Sequence, residues 1–205
     1  MPTALGLHRS GPKEQYRNDN THIVGSSLTG VSGEAELLQH VNALVSDLAA
    51  EFGAVDLVGR RVDCDPDDYD AVVGAFDSFG VAGGAGIRVE NESGRVLLAR
   101  YREASGWVDP GDGRRPEESY HECARRGLRE TTGIEASIEG LAQVHLLYMD
   151  DWTARKPVPN PYVSFEGRFE TGEARPGDDV VDLRWAGTVP ENLLYEELAE
   201  LPLGG

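Results

Sequence analysis

The stretch Trp107-Val108-Asp109-Pro110-Gly111-Asp112-Gly113 leads, after a short interval, to Glu118 and a helical run ending at Ile134. A glycine-containing turn here enters a segment rich in carboxylates and arginines. Such a turn lets backbone come close to a phosphate, and a helix N-terminus favours anions. Carboxylates three and four residues apart on that helix would share a face and could hold a hard cation.

Outward from this stretch, the pattern predicts a helix over about 117–132. On its upstream side, 87–90 and 95–101 read as strands joined by the turn Asn91-Glu92-Ser93-Gly94. Trp107–Asp109 reads as a short strand. Downstream, strands are expected near 135–138, 143–148, 161–170 and 181–185, with 150–160 as a loop. A closing helix is expected over 190–201. Strands on both sides of a central helix, then a terminal helix, imply an α/β fold: a mixed sheet with helices on both faces.

Three segments follow. Residues 1–31 are rich in Gly, Ser, Asn and Thr and are expected to form a flexible or irregular arm. Residues 32–80 form a small helical N-terminal extension. In it Leu37, Leu38, Val41, Leu44, Val45, Leu48 and Phe52 make one helical stripe stopped by Gly53. A short strand near 55–62 follows. Asp65-Pro66 then starts a second helix with Tyr69, Val72, Val73 and Phe76 apolar. After a glycine-rich joint at 81–86, residues 81–205 carry the strand-rich domain.

At the central stretch the chain resembles the Nudix hydrolase superfamily. That signature is a Gly, five residues, Glu, seven residues, then Arg-Glu-apolar-x-Glu-Glu-x-Gly-apolar. Glu118, Arg126, Leu128, Glu130, Gly133 and Ile134 match it. Asp112, Gly127 and Thr131 depart from it, standing where Gly, Glu and Glu belong. The resemblance spans about residues 81–201 and implies a Nudix-type α/β/α sandwich with a mixed sheet. It implies metal-dependent hydrolysis of a nucleoside diphosphate linked to another moiety, with Mg²⁺ or Mn²⁺ as cofactor. The alternative is an inactive Nudix-like module that binds a nucleotide or metabolite.

The resemblance also assigns residues. Glu130 and Glu166 are the expected catalytic and metal-binding carboxylates. Gly111, Gly113 and Arg100 are expected substrate contacts. Glu118, Arg126 and Gly133 are expected to brace the loop–helix unit. Positions 127, 130 and 131 fall within roughly 100° of helix arc, so the family's glutamates there form one acidic face. In this chain only Glu130 is left of it. Glycine inside a helix costs up to about 1 kcal/mol relative to alanine. Gly127 has therefore either drifted after losing its role or makes room for a close approach.

Other residues carry two readings each. Asp112 either supplies a substitute oxygen to a cation or tolerates a left-handed turn. His121 and Glu122 read as a solvated helix face, and His145 as a core histidine. Arg88, Tyr148, Trp152 and Arg155 are of types that touch phosphate or stack a base.

Composition sets the outer limits. Among 205 residues, Asp and Glu number 36 against 19 Lys and Arg, for a net charge of −17, and the only lysines are Lys13 and Lys156. Phosphate backbones demand a basic footprint, so nucleic acid is excluded as the expected partner. The acid excess resembles proteins of salt-accumulating halophiles, in which a Debye length near 3 Å at molar salt makes dense like charge tolerable. No apolar run long enough for a membrane span is present, and no secretory signal is visible. The expectation is a cytoplasmic protein acting on a small nucleotide-type molecule, compatible with a homodimer. Cys64 and Cys123 lack metal spacing and read as ordinary thiols.

Overall fold

The computed structural model describes residues 32–80, 82–102, 104–153 and 155–194. The arm expected at 1–31 lies outside them, as does most of the expected closing helix. In chain order the described elements are α1 (Ser32–Phe52), β1 (Leu57–Asp63), α2 (Pro66–Phe79), β2 (Gly84–Glu90), β3 (Val96–Tyr101), β4 (Gly111–Gly113), α3 (Tyr120–Thr132), β5 (Ile134–Asp150), β6 (Val158–Gly172) and β7 (Val180–Ala186). The strands form one mixed sheet in the order β1-β5-β6-β2-β3-β7, with β4 also paired to β2. β1 runs parallel to β5 and β2 parallel to β6; the other ladders are antiparallel.

Apolar clusters pack against the sheet. On the first face, Ile87, Val144, Val163 and Phe165 pack with Val41, Leu44 and Leu48 of α1 and with Tyr120, Cys123, Ala124 and Leu128 of α3. In a second cluster, Val62, Leu147, Met149 and Val158 pack with Leu37 of α1 and with Tyr69, Val72, Val73 and Phe76 of α2. α1 and α2 also meet each other, with the His40 and Phe76 ring centres 5.6 Å apart, so helices and mixed sheet form one α/β unit. The extension is built into this architecture: β1 lengthens the sheet, and α1 shares the core of α3. No described helix is long and apolar enough to cross a membrane.

Local chemistry fixes the helix ends. Gly53 (φ 88°) ends α1 and Gly80 (φ 61°) ends α2. Pro66 opens α2, and Asp67 and Asp68 in its first turn complement the helix dipole. Ser119 caps α3 in a reciprocal capping box with Glu122, and Gly133 (φ 74°) closes it.

Several expectations need correction. The strands expected at 135–138 and 143–148 are one strand, β5, which stays continuous through register shifts between Ile138 and Gly140 and between Leu141 and Gln143. α3 begins at Tyr120, not 117, because the Ser119 cap sets its start. Half of the glycine-rich joint joins β2, where Gly84 and Gly86 allow β4 to pair closely. The closing helix does not start at Pro190. Instead Trp107 forms a parallel bridge with Leu193, taking Asn192 C=O at 2.8 Å and giving its own carbonyl to Leu194 N–H at 2.8 Å.

Candidate functional site

The turn into α3 is organised around Arg126. Its Nε donates to Glu118 Oε1 at 2.6 Å and its Nη2 to Gly113 C=O at 2.7 Å and Glu118 Oε2 at 3.0 Å. Its Nη1 reaches Asp112 Oδ2, and Glu130 Oε2 at 3.2 Å. Arg115 completes the arrangement, gripping both Glu130 oxygens at 3.2 and 2.7 Å. Its backbone N–H donates to Glu118 Oε2 at 2.9 Å. Burial alone would raise the Glu118 carboxyl, but the hydrogen bonds from Arg126 and from Arg115 N–H bring it below its usual range. The Glu118 bonds hold Arg126 protonated more firmly than an isolated arginine.

The turn itself is closed by the protein. The Tyr101 hydroxyl donates to Gly111 C=O at 2.8 Å and accepts from Gly111 N–H at 3.0 Å. Burial pushes that hydroxyl up to about 12, so it stays protonated and able to do both. Gly113 N–H donates to Asp112 Oδ1 at 2.9 Å. The backbone donors of Gly111 and Gly113, expected to contact substrate, are therefore engaged internally.

Asp112 is not in a left-handed turn. It sits in β4 with its carboxylate on Arg126, and the left-handed residue is Glu117 (φ 65°). Gly127 owes its identity to a close approach. An added Cβ would meet Asp112 N at 2.8 Å and Gly111 C at 3.1 Å. Thr131 turns its hydroxyl back onto Gly127 C=O at 2.6 Å.

The expected carboxylates do not meet. Glu130 projects from α3, on the first face, into the arginine clasp. Glu166 stands opposite Gly140 on β5 and in register with Arg88 on β2, one residue from the core-facing Phe165, and so belongs to the second face. Arg100 is exposed, near Asp182 at 3.7 Å and over the Trp107 ring at 5.8 Å. Among the described residues, no group of three or more His, Cys, Asp or Glu side chains could hold a metal ion. One carboxylate already held by two guanidiniums does not make the donor set of a family-type metal centre. A groove of about 380 Å³ lies over the outer side of α3, lined by Pro116, Glu118, Glu122, Arg125, Arg126 and Arg129.

The extension braces the same unit. Arg114 donates to Gly80 C=O at the end of α2 (2.6 Å) and to Glu118 C=O (3.2 Å), with its guanidinium 4.8 Å from the Tyr120 ring centre. His40 of α1 lies 3.3 Å from the Tyr120 hydroxyl, and Glu51 lies 3.1 Å from His121. His121, expected on a solvated face, is half-buried and packs against Phe52 and Phe165.

A polar row on the second face escaped the sequence reading. Arg88, on β2, pairs with Asp109 at 3.4 Å, and both are almost fully buried. Burial pushes the Asp109 carboxyl up to about 6, against the lowering pull of Arg88 and the neighbouring Ser164. Ser164 is opposite Gln143 in the β5–β6 ladder, and Gln143 Nε2 donates to Asp56 at 2.6 Å. Beyond Gln143 along β5, His145 is held down to about 4 by burial and by nearby Arg60. These residues come from β2, β5, β6 and the segment before β4, so only the pairing of distant segments unites them.

A family model described as the NUDIX domain matches residues 81–193, more than half of the chain. Among solved structures, a NUDIX hydrolase from Nitrosomonas europaea is 20% identical, covering 58% of this chain and 66% of its own, with a TM-score of 0.47. An ADP-ribose pyrophosphatase from Streptococcus suis is 17% identical, covering 55% of this chain and 79% of its own, with a TM-score of 0.40. A UDP-X diphosphatase is 18% identical, covering 81% and 76%, with a TM-score of 0.41. No curated protein matches.

Proposed function

Because the chain belongs to the NUDIX domain family, we propose that it binds a small nucleotide-type molecule and cleaves a diphosphate bond slowly at most. The observation that carries this reading is the clasp at Glu130. The one acidic-face carboxylate retained from the signature is bound by Arg115 and Arg126, while Gly127 and Thr131 offer no oxygen anion beside it. The usual divalent cation of the family, when bound, neutralises charge developing on a phosphoryl group. Without carboxylates at 127 and 131 that contribution shrinks, and a missing general base alone costs about 10²–10⁴-fold in rate.

The residues that support binding are those that keep the turn rigid. Tyr101 holds Gly111, Arg126 ties Asp112 to Glu118, and Arg114 anchors the turn to α2. Residual hydrolysis would depend on Glu130. Its side chain is 46% exposed and that of Arg115 56% exposed, so their ion pair is well screened and weak.

The test is a panel containing ADP-ribose, a UDP-linked sugar and dinucleoside polyphosphates, with Mg²⁺ or Mn²⁺ in molar KCl. Binding by calorimetry, with turnover far below about 1 s⁻¹, the low end of ordinary enzymes, is the expected result. Turnover at ordinary enzyme rates, abolished by Glu130→Gln, would overturn the reading in favour of a full metal-dependent hydrolase.

A further inference from the structure

β7 ends the sheet and is paired along one side only, with β3. Along its other side no strand lies among the described residues. The direction of its free backbone groups follows from the ladder. Ala99 exchanges both of its backbone hydrogen bonds with Val108, at 2.9 and 3.0 Å, so neither group is turned toward β7. Ala99 stands opposite Leu183. In an antiparallel ladder that makes the two a pair that exchanges no bonds, and the N–H and C=O of Leu183 point outward. Those of Trp185, two residues on, do the same. Asp182 and Arg184, on either side of Leu183, spend theirs on β3. An edge of this kind is a template for a further strand, and β7 holds neither proline nor lysine to block it.

The charges on β7 say which strand fits. Asp182 and Arg184 are both exposed, so the strand is electrically balanced within a chain of net charge −17. Set antiparallel to its own image about Leu183, β7 brings Leu183 onto Leu183, Asp182 onto Arg184 and Arg184 onto Asp182. The Leu183 pair then exchanges its outward N–H and C=O groups. The two charged pairs fall at the narrow positions that exchange no backbone bonds, where cross-strand side chains come closest. The neighbouring registers are penalised. Centring the pair on Asp182 sets carboxylate against carboxylate, and centring it on Arg184 sets guanidinium against guanidinium. Asp182 already has Arg100 of β3 at 3.7 Å, so Arg184 of a second copy extends that row across the junction. The same register brings Val181, 42% exposed, opposite Trp185 of the second copy.

We propose that β7 is a self-pairing edge, through which two copies of this chain join antiparallel into a two-fold dimer with one continuous sheet. The pairing is isologous: each copy presents the same strand, and the contact closes at two copies. Both β7 edges are then used up, and their outward backbone groups are satisfied. Two opposing terms set the strength. The like net charge of the copies resists their encounter. A single strand pair is also a small interface, which supports a Kd of about 1 μM to 1 mM. The proposal stands apart from the nucleotide reading above.

The experiment is sedimentation equilibrium of the full chain at fixed salt, at concentrations up to about 1 mM. A reversible monomer–dimer equilibrium is expected. Asp182→Arg sets like charges together at both ends of the junction, and so does Arg184→Asp. Each is expected to weaken association about tenfold or more. The double variant Asp182→Arg/Arg184→Asp restores complementarity and should dimerise like the parent. Mixing the two single variants sets guanidiniums against carboxylates, so a mixed dimer should form where neither variant associates alone. Hydrogen exchange on the parent needs no substitution: the Leu183 amide should gain protection as concentration rises. A chain that stays monomeric throughout would overturn the proposal. So would a dimer indifferent to both charge reversals, which would place the contact on another surface. Leu183 protection that is the same at every concentration would show the edge covered by a segment of its own chain, and would overturn it equally.

Discussion

Gly127→Ala sets two forces of opposite sign against each other. Alanine is favoured in a helix interior by up to about 1 kcal/mol. Against that, the new Cβ would lie 2.8 Å from Asp112 N, 2.9 Å from Asp112 Cβ and 3.1 Å from Gly111 C. These atoms cannot easily retreat. Gly111 is bonded through both its N–H and its C=O to Tyr101, and Asp112 is pinned by Arg126. Moving either would loosen the clasp. Overpacking of this kind costs about 1–3 kcal/mol, which leaves a net loss of up to about 2 kcal/mol after the propensity gain. For a chain of this size that lowers the melting temperature by up to about 8 °C. Gly74→Ala in α2 is the control, because nothing lies within 4 Å of its added Cβ. It should raise stability by up to about 1 kcal/mol. Urea and thermal melts by circular dichroism at fixed salt measure both. If Gly127→Ala gains stability as Gly74→Ala does, the close-approach account of this glycine is wrong.

Further outcomes follow from the same geometry. His145, lowered from 6.5 to about 4, contributes stability above pH 6.5 that is lost as pH falls through 4. Asp109, raised from 3.8 to about 6, contributes stability below pH 3.8 that is lost as pH rises through 6. The two oppose each other between pH 4 and 6, so Asp109→Asn should steepen acid destabilisation and His145→Gln should flatten it. Superimposable urea midpoints against pH for all three proteins would refute this. Tyr101→Phe leaves both polar groups of Gly111 without their partner and should cost about 1–3 kcal/mol in a urea melt. Glu117→Gly removes a side chain from a left-handed backbone (φ 65°) and should stabilise by up to about 1 kcal/mol; a lower melting temperature would contradict that.

What could be read from the sequence was whatever depends on spacing along one element. The α3 stripe Cys123, Ala124 and Leu128 needs only helical periodicity, and the Gly133 stop needs only a φ that glycine supplies. The Ser119–Glu122 capping box was equally legible at its fixed spacing, and Glu122 is exposed, as read, while it caps. Contacts between distant segments were not legible. Arg115 lies outside the signature and meets Glu130 only because the turn folds back over α3. Gln143, Ser164 and Asp109 sit on two strands and a connecting segment and become neighbours only through register. The same distinction explains how the fold can persist while the acidic face disappears. α3 is held by its apolar stripe, its two caps and the Arg126–Glu118 pair, none of which uses a carboxylate at 127 or 131. Replacing those carboxylates removes like charge from the helix face and lets the Asp112 backbone pack directly against Gly127. A sequence can therefore keep every element that forms the sandwich while the space beside Glu130 fills with the protein's own turn.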